Sequence, residues 1–134
     1  MIIWNSSAKI IRDNPAFGIG PGNFQKEYLD YQKYFPPYLE WAVPQPHNLY
    51  LAFWLQSGIF GLIGFLLLVY FWLGNLFKKI RQKNSFFGLE AVLAEIMLYI
   101  IIVGLFDTPV WKNDLALVFS AIVFLGIKLD FYRV

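Results

Sequence analysis

The sequence contains no cysteine. This absence excludes disulfide bonds, thiolate metal sites and cysteine nucleophiles. Charged residues are scarce as well: they make up 15% of the 134 residues and hydrophobic residues 58%, against about 25% and about 45–50% in ordinary globular proteins. Aromatic residues make up 20% of the sequence, and such an abundance is typical of membrane interfaces. The composition therefore predicts an integral membrane protein.

A long stretch without charge dominates the middle of the chain, since no Asp, Glu, Lys or Arg lies between Glu40 and Lys78. Residues 49–77 of it are long enough, at about 1.5 Å per residue, to cross a ~30 Å hydrocarbon layer. Two more apolar segments, at about 89–106 and 110–129, predict further spans. We therefore expect an all-α membrane protein, with three transmembrane helices in residues 49–134 after a partly helical extracytoplasmic segment at residues 1–48.

The basic residues that follow the first span predict its orientation. Lys78, Lys79, Arg81 and Lys83 form a cationic cluster between the first and second spans. The positive-inside rule places such a cluster in the cytoplasm. Residues 78–88 and the C-terminus are then cytoplasmic, and residues 1–48 and 107–114 lie outside. No nucleic-acid partner is expected, because acidic residues interrupt the basic ones in the outer segment.

Two helices are predicted in the outer segment. Residues 3–13 have an apolar stripe at helical spacing, formed by Trp4, Ala8 and Ile11, and Pro15 is expected to end this helix. The second extends from residue 23 to residue 35 and has an aromatic face, formed by Phe24, Tyr28, Tyr31 and Phe35. Aromatic rings beside charged groups suit the binding of sugars, and they suit packing at a membrane interface equally well.

Between the two helices lie three glycines at alternate positions, Gly18, Gly20 and Gly22. Glycine adopts backbone conformations that other residues resist, and successive N–H groups in such a turn can bind an anion. A plain tight turn is the alternative. The segment is not a dinucleotide-binding fingerprint, because Asn23 replaces the third glycine of that motif and no strand precedes it.

Several motifs in this order resemble the O-antigen ligase and polymerase family. Trp4 is followed by Pro15 and by the run Gly18-Ile-Gly20-Pro-Gly22-Asn-Phe24, as in the large outer loop of that family. His47-Asn48 followed by Gly58 is similar to its histidine motif at the start of the next membrane helix. The run Gly104-Leu-Phe-Asp107, with Pro109 and Trp111 after it, is similar to its last outer loop.

The resemblance implies the C-terminal part of a polytopic glycosyltransferase with a GT-C-like helical fold. Such enzymes sit in the cytoplasmic membrane and transfer a glycan, on its outer face, from undecaprenyl diphosphate to a hydroxyl of a glycan or lipid acceptor. They invert the anomeric centre and need no metal or other cofactor. The expected partners are therefore the lipid-linked donor, the acceptor and membrane lipid.

By the same resemblance, His47 and Asp107 are the candidate catalytic residues. His47 would accept the proton of the acceptor hydroxyl or hold the diphosphate, and an imidazole suits either role at neutral pH; a simple cap of the membrane helix is the alternative. Asp107 would orient a cationic partner or cap a helix boundary. The candidates for substrate binding are Asn48, Tyr50, Gly18, Gly20, Gly22 and Arg12.

Two departures from the family pattern matter. The family has an arginine, thought to hold the departing diphosphate, about four residues before the Trp matched by Trp4, and that position falls ahead of Met1. Gly61 stands where a threonine often follows the histidine motif. We therefore expect a C-terminal portion that is inactive alone and needs further N-terminal spans. A non-enzymatic membrane subunit, or a small transporter-like piece, is the alternative.

Overall fold

The computed structural model describes residues 2–36, 43–83 and 88–131, and within these ranges the fold is entirely helical. Five α-helices occur there: α1 (Ile2–Asp13), α2 (Phe24–Tyr31), α3 (Leu49–Lys83), α4 (Leu89–Val103) and α5 (Asn113–Phe131). Short 3-10 turns lie at Gln32–Tyr34 and Pro109–Trp111. The prediction of an all-α fold is confirmed for these residues.

Among the described helices, only α3 is both long and apolar enough to cross a membrane. The candidate span covers Leu49–Gln82, with a mean hydropathy of 2.1. Helix α4 has 15 residues, and at 1.5 Å per residue its length of about 22 Å is less than a ~30 Å hydrocarbon layer. Helix α5 has 19 residues, but its sequence includes Asp114, Lys128 and Asp130. The second and third spans therefore stay predictions.

The helix limits differ from the predicted spans near residue 104. The second span was expected to run to residue 106, yet α4 ends at Val103 and residues 104–106 form a turn. Hydropathy does not detect this turn, because Leu105 and Phe106 are as apolar as the helix before them. The basic cluster also differs from expectation, since residues 78–83 form the last turns of α3 rather than a loop. Residues 84–87 and 132–134 lie outside the described residues.

The chain folds into two compact units. Unit 1 comprises Met1–Phe65 with Gly104–Thr108, and unit 2 comprises Leu66–Val103 with Pro109–Val134. The core of unit 1 is apolar and is formed by Ile10, Ile11, Phe24, Tyr28, Val43 and Leu55. The predicted division at residue 48 concerns the membrane boundary rather than packing, and it stays a prediction.

In unit 2 a glycine allows α3 and α5 to pack closely. A Cβ atom on Gly126 would collide with the indole of Trp72, whose N–H donates to the Val123 carbonyl oxygen at 3.0 Å. The glycines of α3 do not play this part: a Cβ atom on Gly61 would meet only atoms of α3 itself, in Ser57 and Phe53, and one on Gly64 would meet nothing within 4 Å.

Helix α1 confirms the predicted helix, and the structure shows which of its side chains are buried. Its buried residues are Ser6, Ser7, Ile10 and Ile11, whereas Trp4 is 44% exposed and Ala8 is exposed too. The buried face thus includes two serines, whose small side chains fit in a helix interface, and the location of the apolar stripe at a membrane interface stays a prediction. The helix ends at Asp13, before Pro15 as expected.

Candidate functional site

The glycine loop, which follows α1 and carries Gly18, Gly20 and Gly22, packs against a break in α3. At Gly58 the φ angle is +70° and ψ is −172°, so two helical segments meet there. In a continuous helix the Ile59 N–H would donate to the Leu55 carbonyl. Instead Ile59 donates to the Pro15 oxygen at 3.1 Å, and the Ile19 N–H donates to the Leu55 oxygen at 2.6 Å. The loop thus satisfies both backbone groups that the break sets free.

Gly18 and Gly58 allow these two segments to touch. A Cβ atom on Gly18 would collide with the Leu55 carbonyl oxygen, and one on Gly58 with the backbone of Ala16. The Gly18 N–H donates to the Asn14 oxygen at 3.1 Å, so it is used within the protein. This packing accounts for Gly18. Anion binding by the rest of the turn, Gly20 and Gly22, stays a prediction.

His47 lies immediately before the start of α3 in a left-handed conformation. Its φ is +48°, and it is the one non-glycine residue with a positive φ in the described part of the chain. Such a conformation costs about 1–3 kcal/mol and persists only where the surroundings impose it. The preceding residue, Pro46, is fully buried, and its carbonyl accepts a hydrogen bond of 3.1 Å from the Trp4 indole.

The residue after His47 is fixed as well. The Asn48 side-chain oxygen accepts from the Leu51 N–H at 2.9 Å, which caps α3 at its N-terminus. The amide nitrogen of Asn48 donates to the Leu105 oxygen at 2.9 Å, and the Leu49 N–H donates to the Gly104 oxygen at 2.7 Å. Both ends of the predicted substrate-binding amide are therefore engaged within unit 1, and they hold residues 104–105 next to the histidine.

These contacts bring the two predicted catalytic residues together. The Nδ1 atom of His47 lies 3.7 Å from Oδ1 of Asp107, and the two side chains are 54% and 32% exposed. Oδ1 of Asp107 also accepts from the Thr108 N–H at 2.8 Å. Although they are 60 positions apart in the numbering, the imidazole and the carboxylate thus form a pair that solvent and substrate can reach.

Gln45 and Thr108 support this pair, and the sequence analysis did not identify them. The Thr108 hydroxyl donates to the side-chain oxygen of Gln45, and Thr108 is only 1% exposed. The bond links the segment before His47 to the segment that carries Asp107. In the sequence, the one feature that could have indicated these two residues is their position, because each lies within two positions of a predicted site residue.

The pair has chemistry suited to proton transfer. A carboxylate facing Nδ1 orients the imidazole, leaves Nε2 for a substrate, and stabilises the imidazolium that forms when a proton is accepted. His47 is thus the group that faces Asp107, and the roles predicted for both residues stay predictions. In the part of the chain that the structure describes, no group of three or more His, Asp or Glu side chains could hold a metal ion.

The remaining candidates lie elsewhere in unit 1. Tyr50 packs edge-on against Phe65, with ring centroids 6.4 Å apart. Arg12 is near the C-terminal end of α1, eight residues after Trp4 and therefore about 12 Å from it along the helix axis. It lines a separate groove rather than the surroundings of His47.

Comparison with known proteins gives one match. The model of the O-antigen ligase family matches residues 1–66. Neither a curated protein nor a solved structure matches the chain significantly. The matched segment includes the glycine loop, His47 and the break at Gly58, and it coincides closely with the continuous part of unit 1. The family match therefore covers the segment that carries these features, and it supports the resemblance to the O-antigen ligase family that the sequence motifs indicate.

Proposed function

We propose that this chain is the C-terminal part of a GT-C-like membrane glycosyltransferase that transfers a glycan from undecaprenyl diphosphate to a hydroxyl acceptor. The observation that carries the proposal is the His47–Asp107 pair, with Nδ1 and Oδ1 3.7 Å apart. It belongs to a unit whose continuous part matches the O-antigen ligase family. Ligases and polymerases share these motifs and differ in the acceptor.

In the proposed reaction the acceptor oxygen attacks the anomeric carbon of the donor sugar. The bond between that carbon and the diphosphate oxygen breaks, and its electron pair leaves with undecaprenyl diphosphate. Nε2 of His47 accepts the proton of the attacking hydroxyl, and Asp107 stabilises the imidazolium. The proton then passes to solvent, which reaches the half-exposed imidazole. Attack opposite the leaving group inverts the anomeric centre.

The position of Trp4 supports the proposal that a further residue on α1 holds the diphosphate. The Trp4 indole contacts Pro46, next to His47. Residues four positions apart lie on the same side of a helix. The family's arginine precedes this Trp by about four residues, so a helix extended by one turn would place it beside Trp4, close to the leaving group.

We therefore propose that activity requires further N-terminal spans carrying that arginine. Loss of one donor to a developing negative charge costs about 2.7–4 kcal/mol. Residues 1–134 expressed alone should insert into membranes but transfer no glycan from a lipid-diphosphate donor. Co-expression with the N-terminal spans should restore transfer. Turnover by the purified chain alone would refute this requirement, and absence of transfer even with those spans would favour the non-enzymatic membrane subunit.

We also propose that unit 1 faces the outside of the cytoplasmic membrane, and the lack of cysteine makes this simple to test. Gln25 and Gln82 are both exposed, on α2 and near the end of α3. In intact cells, Gln25→Cys should react with a membrane-impermeant maleimide, and Gln82→Cys should react only after permeabilisation. The reverse pattern would overturn the outer location of His47 and Asp107.

A further inference from the structure

One side of α1 forms a groove that the proposed transfer reaction does not use. Its volume is about 250 Å³, and its lining residues are Asn5, Ala8, Lys9, Arg12 and Phe35. The first four recur at spacings of three and four residues, so they share one face of α1. Phe35 follows the 3-10 turn after α2 and completes the lining.

The groove carries a positive charge that the described residues only partly compensate. Nζ of Lys9 lies 3.8 Å from Oδ2 of Asp13 and 4.9 Å from the ring centroid of Tyr34. The same Asp13 oxygen accepts a 2.9 Å hydrogen bond from the Tyr31 hydroxyl, which raises the pKa of Tyr31. Asp13 is thus already engaged by two partners.

Arg12 is the cation that remains available. Its side chain is exposed, and it makes no hydrogen bond or ion pair with any residue in the ranges that the structure describes. A guanidinium presents a planar fork of donors that matches a carboxylate in a bidentate manner. A polar helix face with no ligand is the alternative, and in it the nearby aromatic rings would serve only to pack against Lys9.

The aromatic rings beside the groove restrict the class of ligand that would use all of its side chains. Phe35 lines the groove, and the neighbouring Tyr34 is 56% exposed. Aromatic faces pack on the C–H faces of pyranose rings, and the Asn5 amide can hydrogen-bond to hydroxyl groups. A free inorganic anion would use Arg12 and Lys9 but not the rings, and a neutral sugar would use the rings but not the two cations.

We propose that this groove binds an acidic sugar residue, of the hexuronic acid class, within the glycan that the protein handles. The proposal rests on the proposed function, because it takes that glycan as the ligand. Trp4, beside the segment that carries His47, and Arg12 lie on the same helix, about 12 Å apart along its axis. The groove is therefore a second subsite, a few sugar residues from the reacting hydroxyl, and it selects acidic glycans.

The test measures binding of two oligosaccharides of equal length to the full chain in detergent by calorimetry. Tetragalacturonate should bind, and maltotetraose should bind at least tenfold more weakly. Arg12→Gln should weaken tetragalacturonate binding about tenfold, since a hydrogen bond to a charged group is involved. Phe35→Leu should weaken it several-fold. Lys26→Gln is the matched control: it removes the same charge from an exposed site on α2 and should change nothing.

Three results would overturn the subsite. They are equal binding of maltotetraose, equal weakening by Lys26→Gln, and displacement of tetragalacturonate by equimolar inorganic phosphate or by vesicles containing phosphatidylglycerol. The outcomes also separate this proposal from the proposed function. If Arg12→Gln leaves tetragalacturonate binding unchanged while transfer still requires His47, the subsite is contradicted and the proposed function is not. If Arg12→Gln weakens tetragalacturonate binding while transfer does not require His47, the transferase mechanism is contradicted and the subsite is not.

Discussion

Replacing His47 with alanine should reduce glycan transfer about 10²–10⁴-fold, the usual contribution of a general base. The reason is the geometry of the imidazole: it is half exposed, and Nδ1 faces Asp107, so Nε2 is free to accept the proton of a hydroxyl. The measurement is transfer from a lipid-linked donor in membranes that contain this chain together with the proposed N-terminal spans.

The control for this experiment addresses folding. His47 is held through its neighbours, because Trp4 bonds to Pro46 and Asn48 caps α3. The His47 side chain itself contributes little to these contacts, so His47→Ala should leave membrane insertion and abundance unchanged. Full transfer activity in His47→Ala would contradict the proposed proton transfer and would leave the histidine only the role of starting α3.

The second large effect is expected at Gly58, and it concerns stability. Its φ of +70° with ψ near 180° is a conformation that is essentially restricted to glycine. A Cβ atom there would also collide with the backbone of Ala16. Strain of about 1–3 kcal/mol and overpacking of about 1–3 kcal/mol would add, which is a large part of a typical stability of about 5–15 kcal/mol.

Gly58→Ala should therefore unfold unit 1 at a clearly lower temperature and lower transfer with it. Gly64→Ala is a matched control in the same helix, since a Cβ at Gly64 meets nothing within 4 Å. In a helix interior that change should be neutral or stabilising by roughly 0.5–1 kcal/mol. Equal melting temperatures for the two variants would mean that the break at Gly58 is not a fixed part of the fold.

The sequence predicted the helices and named His47 and Asp107 as candidates, but it did not show how these two residues are held together. Apolar runs and a proline were enough to locate α1 to α5, because helix formation follows local periodicity. The break at Gly58 was missed because it depends on one hydrogen bond accepted by the Pro15 oxygen and one donated by the Ile19 N–H, from positions about 40 residues away. A local pattern cannot show that a distant loop supplies the missing backbone partners.

Two other features of the structure were not predicted, for similar reasons. The buried face of α1 was not predicted, because it includes Ser6 and Ser7, and a pattern that counts only apolar residues omits them. Gln45 and Thr108 were missed because their bond joins segments 63 residues apart. In contrast, His47 and Asp107 were found through resemblance to a family, which carries information about distant contacts that periodicity lacks.

The measurement that tests the central claim most directly is a double-substitution cycle on transfer activity with His47→Ala and Asp107→Asn. The asparagine keeps an oxygen for the Thr108 N–H and removes only the charge. If the carboxylate acts through the imidazole, Asp107→Asn alone should lower transfer about 10- to 100-fold, and the double variant should be no slower than His47→Ala. Losses that multiply in the double variant would show two independent residues and contradict the account.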